Sequence, residues 1–418
     1  MAQVEITAMT FGPFGVGRMN DRTVLVPNAT PGDLLEVSDV RERAGHLFAR
    51  AEHVLRPGPA RRIPPCPYVP RCGGCDWQEI AYPAQVRFKA QVIARTLNGA
   101  LGLKLDPAAL VEPAPAEFGY RARVRFKAGR GGRLGFYEPG SRRLVEIDRC
   151  LIAAEQIRLP RELAAAIECD EIEVVADRGR EIFVAHLARP PTPAVIGRAR
   201  RLVEPDRAIA GAVLLTAKTR EVIGEVSIVL SLEPGLEVEI DADLFSQVNR
   251  PQNLKLVAAV MEMARLSPGA RVLDLFCGAG NFSLPAARRG ARVTGVDAEP
   301  LAVKAAARNA IRLGLEHAEF AAMDSAELAR FLLRARYRPD VAIIDPPRSG
   351  ARTLIEPLVK MRPARLIYVS CDVATLARDL KLLSEGGYEV AALRGFDFFP
   401  NTHHVELVTV LTSAATRS

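Results

Sequence analysis

The segment Val272-Leu-Asp-Leu-Phe-Cys-Gly-Ala-Gly-Asn281 constrains the fold more than any other stretch of the chain. An apolar strand runs into a glycine-bearing turn and then into a helix, and glycines at 278 and 280 let the backbone approach a ligand closely. The alternation then repeats. A strand over 292–297 ends in Asp297, a helix runs from about 300 to 313, and strands over 341–344, 366–370 and 405–411 alternate with helical segments such as 373–384. A helix over 252–265 leads into the series. This rhythm predicts an α/β domain over 246–418, doubly wound and Rossmann-like, with room for one antiparallel edge strand.

The rest of the chain has a different texture. Residues 1–58 carry short alternating stretches at 4–7, 23–26, 34–40 and 47–54, separated by Gly, Pro, Asn and Asp turns, which predicts a five-stranded, OB-like β-barrel. The proline-rich connector 56–65 follows. Residues 59–245 read as a central α+β domain, with a helix over 83–98 and the strand Tyr120–Lys127. The period of two in YRARVRFK puts Arg121, Arg123, Arg125 and Lys127 on one face and Ala122, Val124 and Phe126 on the other. Four cations with no acid between them read as a ridge for RNA phosphates, against the plainer reading of a solvated face. A net charge of +7 over 418 residues also suits a polyanionic partner. No apolar run approaches the ~18–20 residues that span a bilayer, and Glu5 interrupts the start where a signal peptide would stay apolar, so the chain is expected in the cytoplasm.

The glycine turn lacks the third glycine of a dinucleotide site, since Ser283 stands there, and Asp274 precedes the loop. A carboxylate in that position repels phosphate but can orient an amino-acid moiety, while Asp297 can accept ribose hydroxyls. S-adenosylmethionine fits both demands, and Cys277 reads as a small buried residue.

Two later segments speak to the chemistry. Asp345-Pro-Pro ends a buried strand, as in methyltransferases that act on exocyclic amines, but Arg348 replaces the aromatic residue expected there. The next strand delivers Cys371 to the same edge, just before a helix whose N-terminus is expected to lower the thiol's pKa. Carbon 5 of a pyrimidine is a poor nucleophile; thiolate addition to carbon 6 activates it, and a general base must then remove the carbon 5 proton. Glu406, opening the last strand, is the candidate base. His403 and His404 are rivals, read more simply as exposed loop residues.

Cys66, Cys72 and Cys75 cluster and need a fourth ligand, Cys150 or Cys169. Four thiolates suit zinc or an iron–sulfur cluster by ligand type, but zinc ribbons use paired C-x-x-C knuckles and only one such pair is present.

These motifs together resemble the RNA uracil-5 methyltransferases that carry an N-terminal TRAM domain and an iron–sulfur cluster, and most of all the bacterial enzymes forming 5-methyluridine in 23S ribosomal RNA. The resemblance rests on the cysteine cluster, Phe245-Ser-Gln-Val-Asn249, the glycine turn, Asp345-Pro-Pro-Arg348, Ser370-Cys-Asp372 and His404-Val-Glu406. It implies Cys371 as nucleophile and Glu406 as base. It implies a S-adenosylmethionine site lined by Gln247, Phe276, Asn281, Asp297 and Asp345, with Asp324 near the adenine. Phe245 would stack near the target uracil, and Cys66, Cys72, Cys75 and Cys150 would hold a [4Fe–4S] cluster. Asp297 departs from the family's usual Glu. A target base must be extruded from its stack, most cheaply from a single-stranded loop. Two rival functions remain at this point: amine-directed RNA methylation through Asp-Pro-Pro, and a non-catalytic RNA-binding factor.

Overall fold

The computed structural model describes residues 2–203 and 209–413. The N-terminal barrel is closed, and its five strands are Ala2–Met9, Phe14–Met19, Arg22–Pro27, Leu34–Arg43 and His46–Arg56, the last two exchanged in spatial order. Alternate residues, among them Val4, Ile6, Val24, Val26, Leu35 and Val37, fill its interior, as the period of two requires. Asp33 is fully buried and accepts from Gly58 N (2.8 Å) and Arg61 Nε (3.0 Å), which fastens the connector to the barrel.

A seven-stranded sheet forms the centre. From one edge to the other it runs Arg220–Gly224, Ile209–Leu215, Arg180–His186, Glu171–Asp177, Arg123–Ala128, Leu134–Tyr137, Leu144–Glu146. Val124 and Phe126 point into one core, as the alternation predicts, beneath the helices Arg161–Ile167 and Pro193–Leu202. The hairpin of Ser227–Glu233 and Leu236–Asp241 packs on the opposite face, where Ile228 and Ile240 meet Val175 and Val184.

The third sheet has eight strands, in the order Ala318–Ala322, Arg292–Asp297, Arg271–Leu275, Val341–Ile344, Arg365–Ser370, Glu406–Ser413, Tyr388–Phe396, Val111–Glu112. Its first five are parallel, with helices on both faces. The antiparallel strand differs from expectation: Glu406–Ser413 lies inside the sheet, hydrogen-bonded on both sides, rather than at its edge. The edge is supplied from the N-terminal half, where Val111 and Glu112 pair with Gly395 and Phe396. The long helix Tyr82–Leu101 accompanies that strand and buries Ile93, Ala94 and Leu97 in the same core as Leu376, Leu380 and Leu383 of helix Val373–Glu385. Residues 82–112, expected in the central unit, therefore serve the C-terminal sheet, because their apolar face finds its cover there. Among the described residues no helix is long and apolar enough to cross a membrane.

Candidate active site

The glycine turn sits at the carboxyl edge of the parallel strands. Phe276 adopts φ 66°, a conformation that a bulky residue holds only when its surroundings impose it. Gly278 and Gly280 are also left-handed, and a Cβ on Gly280 would lie 2.8 Å from Leu284 Cγ. Gly278 N donates to Asp297 Oδ2 (2.9 Å) and Glu299 N to Asp297 Oδ1 (2.8 Å), so Asp297 ties the turn to the neighbouring strand's end. The Asn281 amide forms a reciprocal pair with Asn253 of the helix Arg250–Ala264, at 2.9 and 3.2 Å. Ser325 Oγ accepts from Phe276 N at 3.3 Å. Neither Asn253 nor Ser325 stood out in the sequence, because their partners are 28 and 49 residues away.

Asp274 is wholly buried; Ser283 Oγ donates to its Oδ2 at 2.5 Å, and its Oδ1 has no hydrogen-bond partner among the described residues. Burial, with Asp345 and Asp297 close by, pushes the Asp274 carboxyl up to about 7. Burial and Asp297 push Asp345 up to about 7 as well. Three acids thus crowd one strand edge, and each would be relieved by a cation between them. The sulfonium and ammonium of S-adenosylmethionine provide that charge, so the residues present fit the ligand. Asp324 lies alongside: Met323 N donates to Asp297 O (2.9 Å), and one Asp324 oxygen caps the helix Ser325–Arg334 through Ala326 N and Glu327 N. Gln247 is half-buried in the loop after the hairpin, and Phe245, two residues earlier, is 75% exposed.

Cys371 follows the last residue of strand Arg365–Ser370. Ser370 pairs antiparallel with Leu407, so the register sets Cys371 across from Glu406. Glu406 is 6% exposed. Burial, with Asp345 near it, holds its carboxyl well above the usual carboxylate range, and Arg348 opposes that rise. The thiol departs from expectation. Asp372, the N-cap of helix Val373–Glu385, spends its carboxylate on Ala374 N (3.0 Å) and Thr375 N (2.8 Å), which satisfies the amides that would have drawn the thiolate. Burial and the Glu406 carboxyl instead push Cys371 up to about 11, with Arg348 acting in the other direction.

His403 and His404 are not free loop residues either. The His403 ring is hydrogen-bonded to Asp76, whose other oxygen accepts His403 N at 3.0 Å. The His404 ring lies 4.0 Å from it and accepts from Arg348 Nη2 at 3.1 Å. Burial, His403 and Arg348 pull His404 down to about 3, so it stays neutral.

Cys66, Cys72, Cys75 and Cys150 line one cavity; Cys169 does not, being buried in the core of the central sheet. Burial pushes Cys72 up to about 11 and Cys75 up to about 12, and Cys150 rises for the same reason. Among the described residues no three His, Cys, Asp or Glu side chains are arranged to hold a single metal ion. Arg121 also lines the cavity, its Nε buried with no hydrogen-bond partner among the described residues and its guanidinium 5.6 Å from the Phe399 ring centre.

The expected cationic ridge is largely consumed. The strand begins only at Arg123, so Arg121 turns inward. Arg123 is 8% exposed and donates to the carbonyls of Ala242 and Leu244, with Glu173 3.2 Å away. The neighbouring strand places Glu173 across from Arg125 and Glu171 across from Lys127, and both pairs form ion pairs. Arg125, with its side chain half-exposed, remains the most accessible of the four.

A doubly wound sheet with three acids and a strained glycine turn at its carboxyl edge defines a methyltransferase that uses S-adenosylmethionine. Residues 235–414 match the model of the tRNA (uracil-5-)-methyltransferase family. The chain is 33% identical to a 23S rRNA (uracil(1939)-C(5))-methyltransferase, RlmD, of Shewanella amazonensis, covering 94% of this chain and 91% of that one. It is 32% identical to an uncharacterized RNA methyltransferase of Halalkalibacterium halodurans over 98% and 96%. Its fold matches the crystal structure of Pyrococcus abyssi tRNA (uracil-54, C5)-methyltransferase in complex with S-adenosyl-L-homocysteine, with a TM-score of 0.76 at 25% identity, covering 98% and 100%. The chain belongs to the RNA uracil-5 methyltransferase family, which methylates carbon 5 of uracil in RNA. Family membership decides against amine transfer and against a non-catalytic RNA binder.

Proposed function

We propose that Cys371 is the nucleophile and Glu406 the base in 5-methyluridine formation, acting on 23S ribosomal RNA. The observation that carries this reading is the antiparallel register that sets the two side chains across from each other, beside the acid-lined edge. S-adenosylmethionine, when bound, supplies an electrophilic methyl group. The Cys371 thiol loses its proton to solvent and adds as thiolate to carbon 6, which leaves carbon 5 electron-rich and able to take that methyl group. Glu406 then accepts the carbon 5 proton, the carbon 6–sulfur bond breaks, and the thiolate returns. Arg348, which lies at the thiol, favours its ionised form. Arg348 also favours the ionised form of Glu406, against burial and Asp345, which hold its carboxyl up.

Gln247, Phe276, Asn281, Asp297, Asp324 and Asp345 would hold S-adenosylmethionine. Phe245 offers an exposed ring on which the extruded uracil can stack. Arg125, half-exposed although paired with Glu173, is the cation of this segment most open to phosphate contact. Ribosomal RNA is favoured over transfer RNA by the higher identity to the 23S rRNA enzyme, 33% against 25% for the tRNA enzyme, and such a substrate implies a cytoplasmic enzyme.

The four cavity cysteines fit a [4Fe–4S] cluster. They form the walls of a cavity rather than converging on one point, and Arg121 supplies a cation with an unpartnered N–H beside them. With four protein thiolates such a cluster would cross-link Cys66–Cys75 to Cys150 and leave no iron open to substrate. Visible absorbance of anaerobically purified protein, abolished by Cys150→Ala and retained in Cys169→Ala, tests the ligand set.

The test of the central reading is Glu406→Gln with an RNA fragment and S-adenosylmethionine. Turnover should fall by ~10²–10⁴, and a denaturation-resistant protein–RNA adduct should accumulate. Absence of any adduct would move the base elsewhere, and an active Cys371→Ala would remove the nucleophile.

A further inference from the structure

We propose that the cysteine-bearing segment positions the base, through a joint made by Asp76 and Asn401. This rests on the reading of Cys371 and Glu406 given above and extends it to residues outside the catalytic sheet.

On the side that faces Cys371, Ser370↔Leu407 is the last rung of the ladder, so Glu406 lies one residue beyond it. On its other side Glu406 pairs with Phe396, so the hairpin loop 397–405 closes directly on it, and what holds that loop bears on the distance between carboxylate and thiol. That loop is held from outside. Asn401 is fully buried with φ 67°, and its polar groups are taken up by four segments of the N-terminal half. Its carbonyl accepts from Asp76 N (3.2 Å) and Trp77 N (3.1 Å), directly after Cys75. Its N–H donates to Gln85 Oε1 (2.7 Å), while Gln85 Nε2 returns to its Oδ1 (3.2 Å). Arg62 Nη2 donates to the same Oδ1 (2.9 Å), and Asn401 Nδ2 donates to Glu117 O (3.0 Å). Two residues on, Asp76 takes both the backbone N–H and the ring of His403. The His403 ring lies 4.0 Å from that of His404, tilted by 47°, and His404 accepts from Arg348, the cation at Cys371.

The path is short. Asp76 adjoins Cys75, it grips His403, and three residues later comes Glu406. A shift of the cysteine segment therefore moves the carboxylate relative to the fixed rung at Ser370 and leaves Cys371, on its own strand, in place. Asp76 and Asn401 are positioning residues: their side chains are taken up by other protein groups, and they act on the step in which the carbon 5 proton passes to Glu406 and the carbon 6–sulfur bond breaks.

This makes a distinctive signature. Loss of the joint slows the second half of the reaction and spares the first, so covalent adduct should accumulate as turnover falls. A general folding defect lowers both together. The experiment uses the full-length, cluster-replete protein with the same RNA fragment and S-adenosylmethionine, and follows methylated product and adduct in parallel. The variants are Asp76→Ala, Asp76→Asn and Asn401→Gly, the last chosen because glycine tolerates the left-handed backbone. Turnover should drop about 10- to 100-fold in Asp76→Ala and Asn401→Gly, with an adduct fraction several times that of the parent enzyme. Asp76→Asn, which keeps an acceptor for His403 N, should recover part of the rate and lose part of the adduct. The inference is overturned if adduct and turnover fall in proportion, or if neither changes. Glu406→Gln run alongside separates the two claims: no adduct there sinks the base assignment itself, whereas adduct there and none in Asp76→Ala sinks only the joint.

Discussion

The reactivity of Cys371 in the free enzyme tests the electrostatics of the site directly. An ordinary cysteine titrates near ~8.5, whereas burial and Glu406 push Cys371 up to about 11 against the pull of Arg348. At pH 7.5 the ordinary thiol is about one-tenth ionised and Cys371 about three parts in ten thousand, a deficit of roughly 300-fold. The more basic thiolate is the better nucleophile, and a Brønsted slope of ~0.45 offsets roughly tenfold of that. Alkylation by iodoacetamide should therefore run ~30-fold slower than a free thiol at pH 7.5 and climb about tenfold per pH unit to near pH 10. The measurement is the rate of Cys371 modification against pH, read by mass spectrometry of its peptide without RNA. Steric access scales every rate alike, so it does not move the midpoint. Arg348→Met should raise the midpoint further by removing a cation, and Glu406→Gln should lower it by removing a carboxyl. A midpoint at or below 8.5 would refute the reasoning and restore the helix N-terminus as the dominant influence.

Lys89 and Asp397 form a fully buried ion pair at 2.7 Å; Lys89→Met strands the carboxylate and should cost ~3–5 kcal/mol in urea unfolding, most of it recovered in Lys89→Met/Asp397→Leu. A single-variant loss below ~1 kcal/mol would mean that Asp397 finds water. Because burial and neighbouring acids push Asp274 and Asp345 up to about 7, and a cationic ligand prefers them ionised, S-adenosylmethionine should bind more tightly as pH rises from 6 to 8. Calorimetry should show this slope reduced in Asp345→Asn, and a flat profile in the parent enzyme would contradict it. Phe245→Ala should leave stability within ~0.5 kcal/mol, since the ring is 75% exposed. It should weaken RNA binding by ~1–3 kcal/mol in filter assays at fixed salt, and unchanged affinity would rule out stacking.

What could be read from the chain follows the range of the forces involved. Strands 292–297 and 341–344 coincide with the observed Arg292–Asp297 and Val341–Ile344, because an apolar run bounded by turns is a local signal. The barrel announced itself through period two, although the strand Phe14–Met19, with two glycines, escaped notice. The helix at 83–98 was equally plain, but not its destination. Nothing local says that it and residues 111–112 complete a sheet whose other strands begin 160 residues later.

The site divides in the same way. Its chemical inventory was legible in sequence because the glycine turn, Asp297, Asp345 and Cys371 each lie at the carboxyl end of a parallel strand, while Glu406 opens the antiparallel strand beside them. Alternation put Arg123, Arg125 and Lys127 on one face, yet only the neighbouring strand shows Glu171 and Glu173 waiting there. Spacing left Cys150 and Cys169 as equal candidates, and the fold brought one to the cavity and buried the other. A helix following Cys371 argues locally for an acidic thiol, but burial and the carboxyl across the ladder reverse the sign. The chain by itself determined which groups are available and which backbone shapes hold them, since propensity and periodicity act over a few residues. Tertiary structure alone decided their charge, their exposure and their neighbours, since desolvation and Coulomb interaction depend on atoms that are close in space and far apart in sequence.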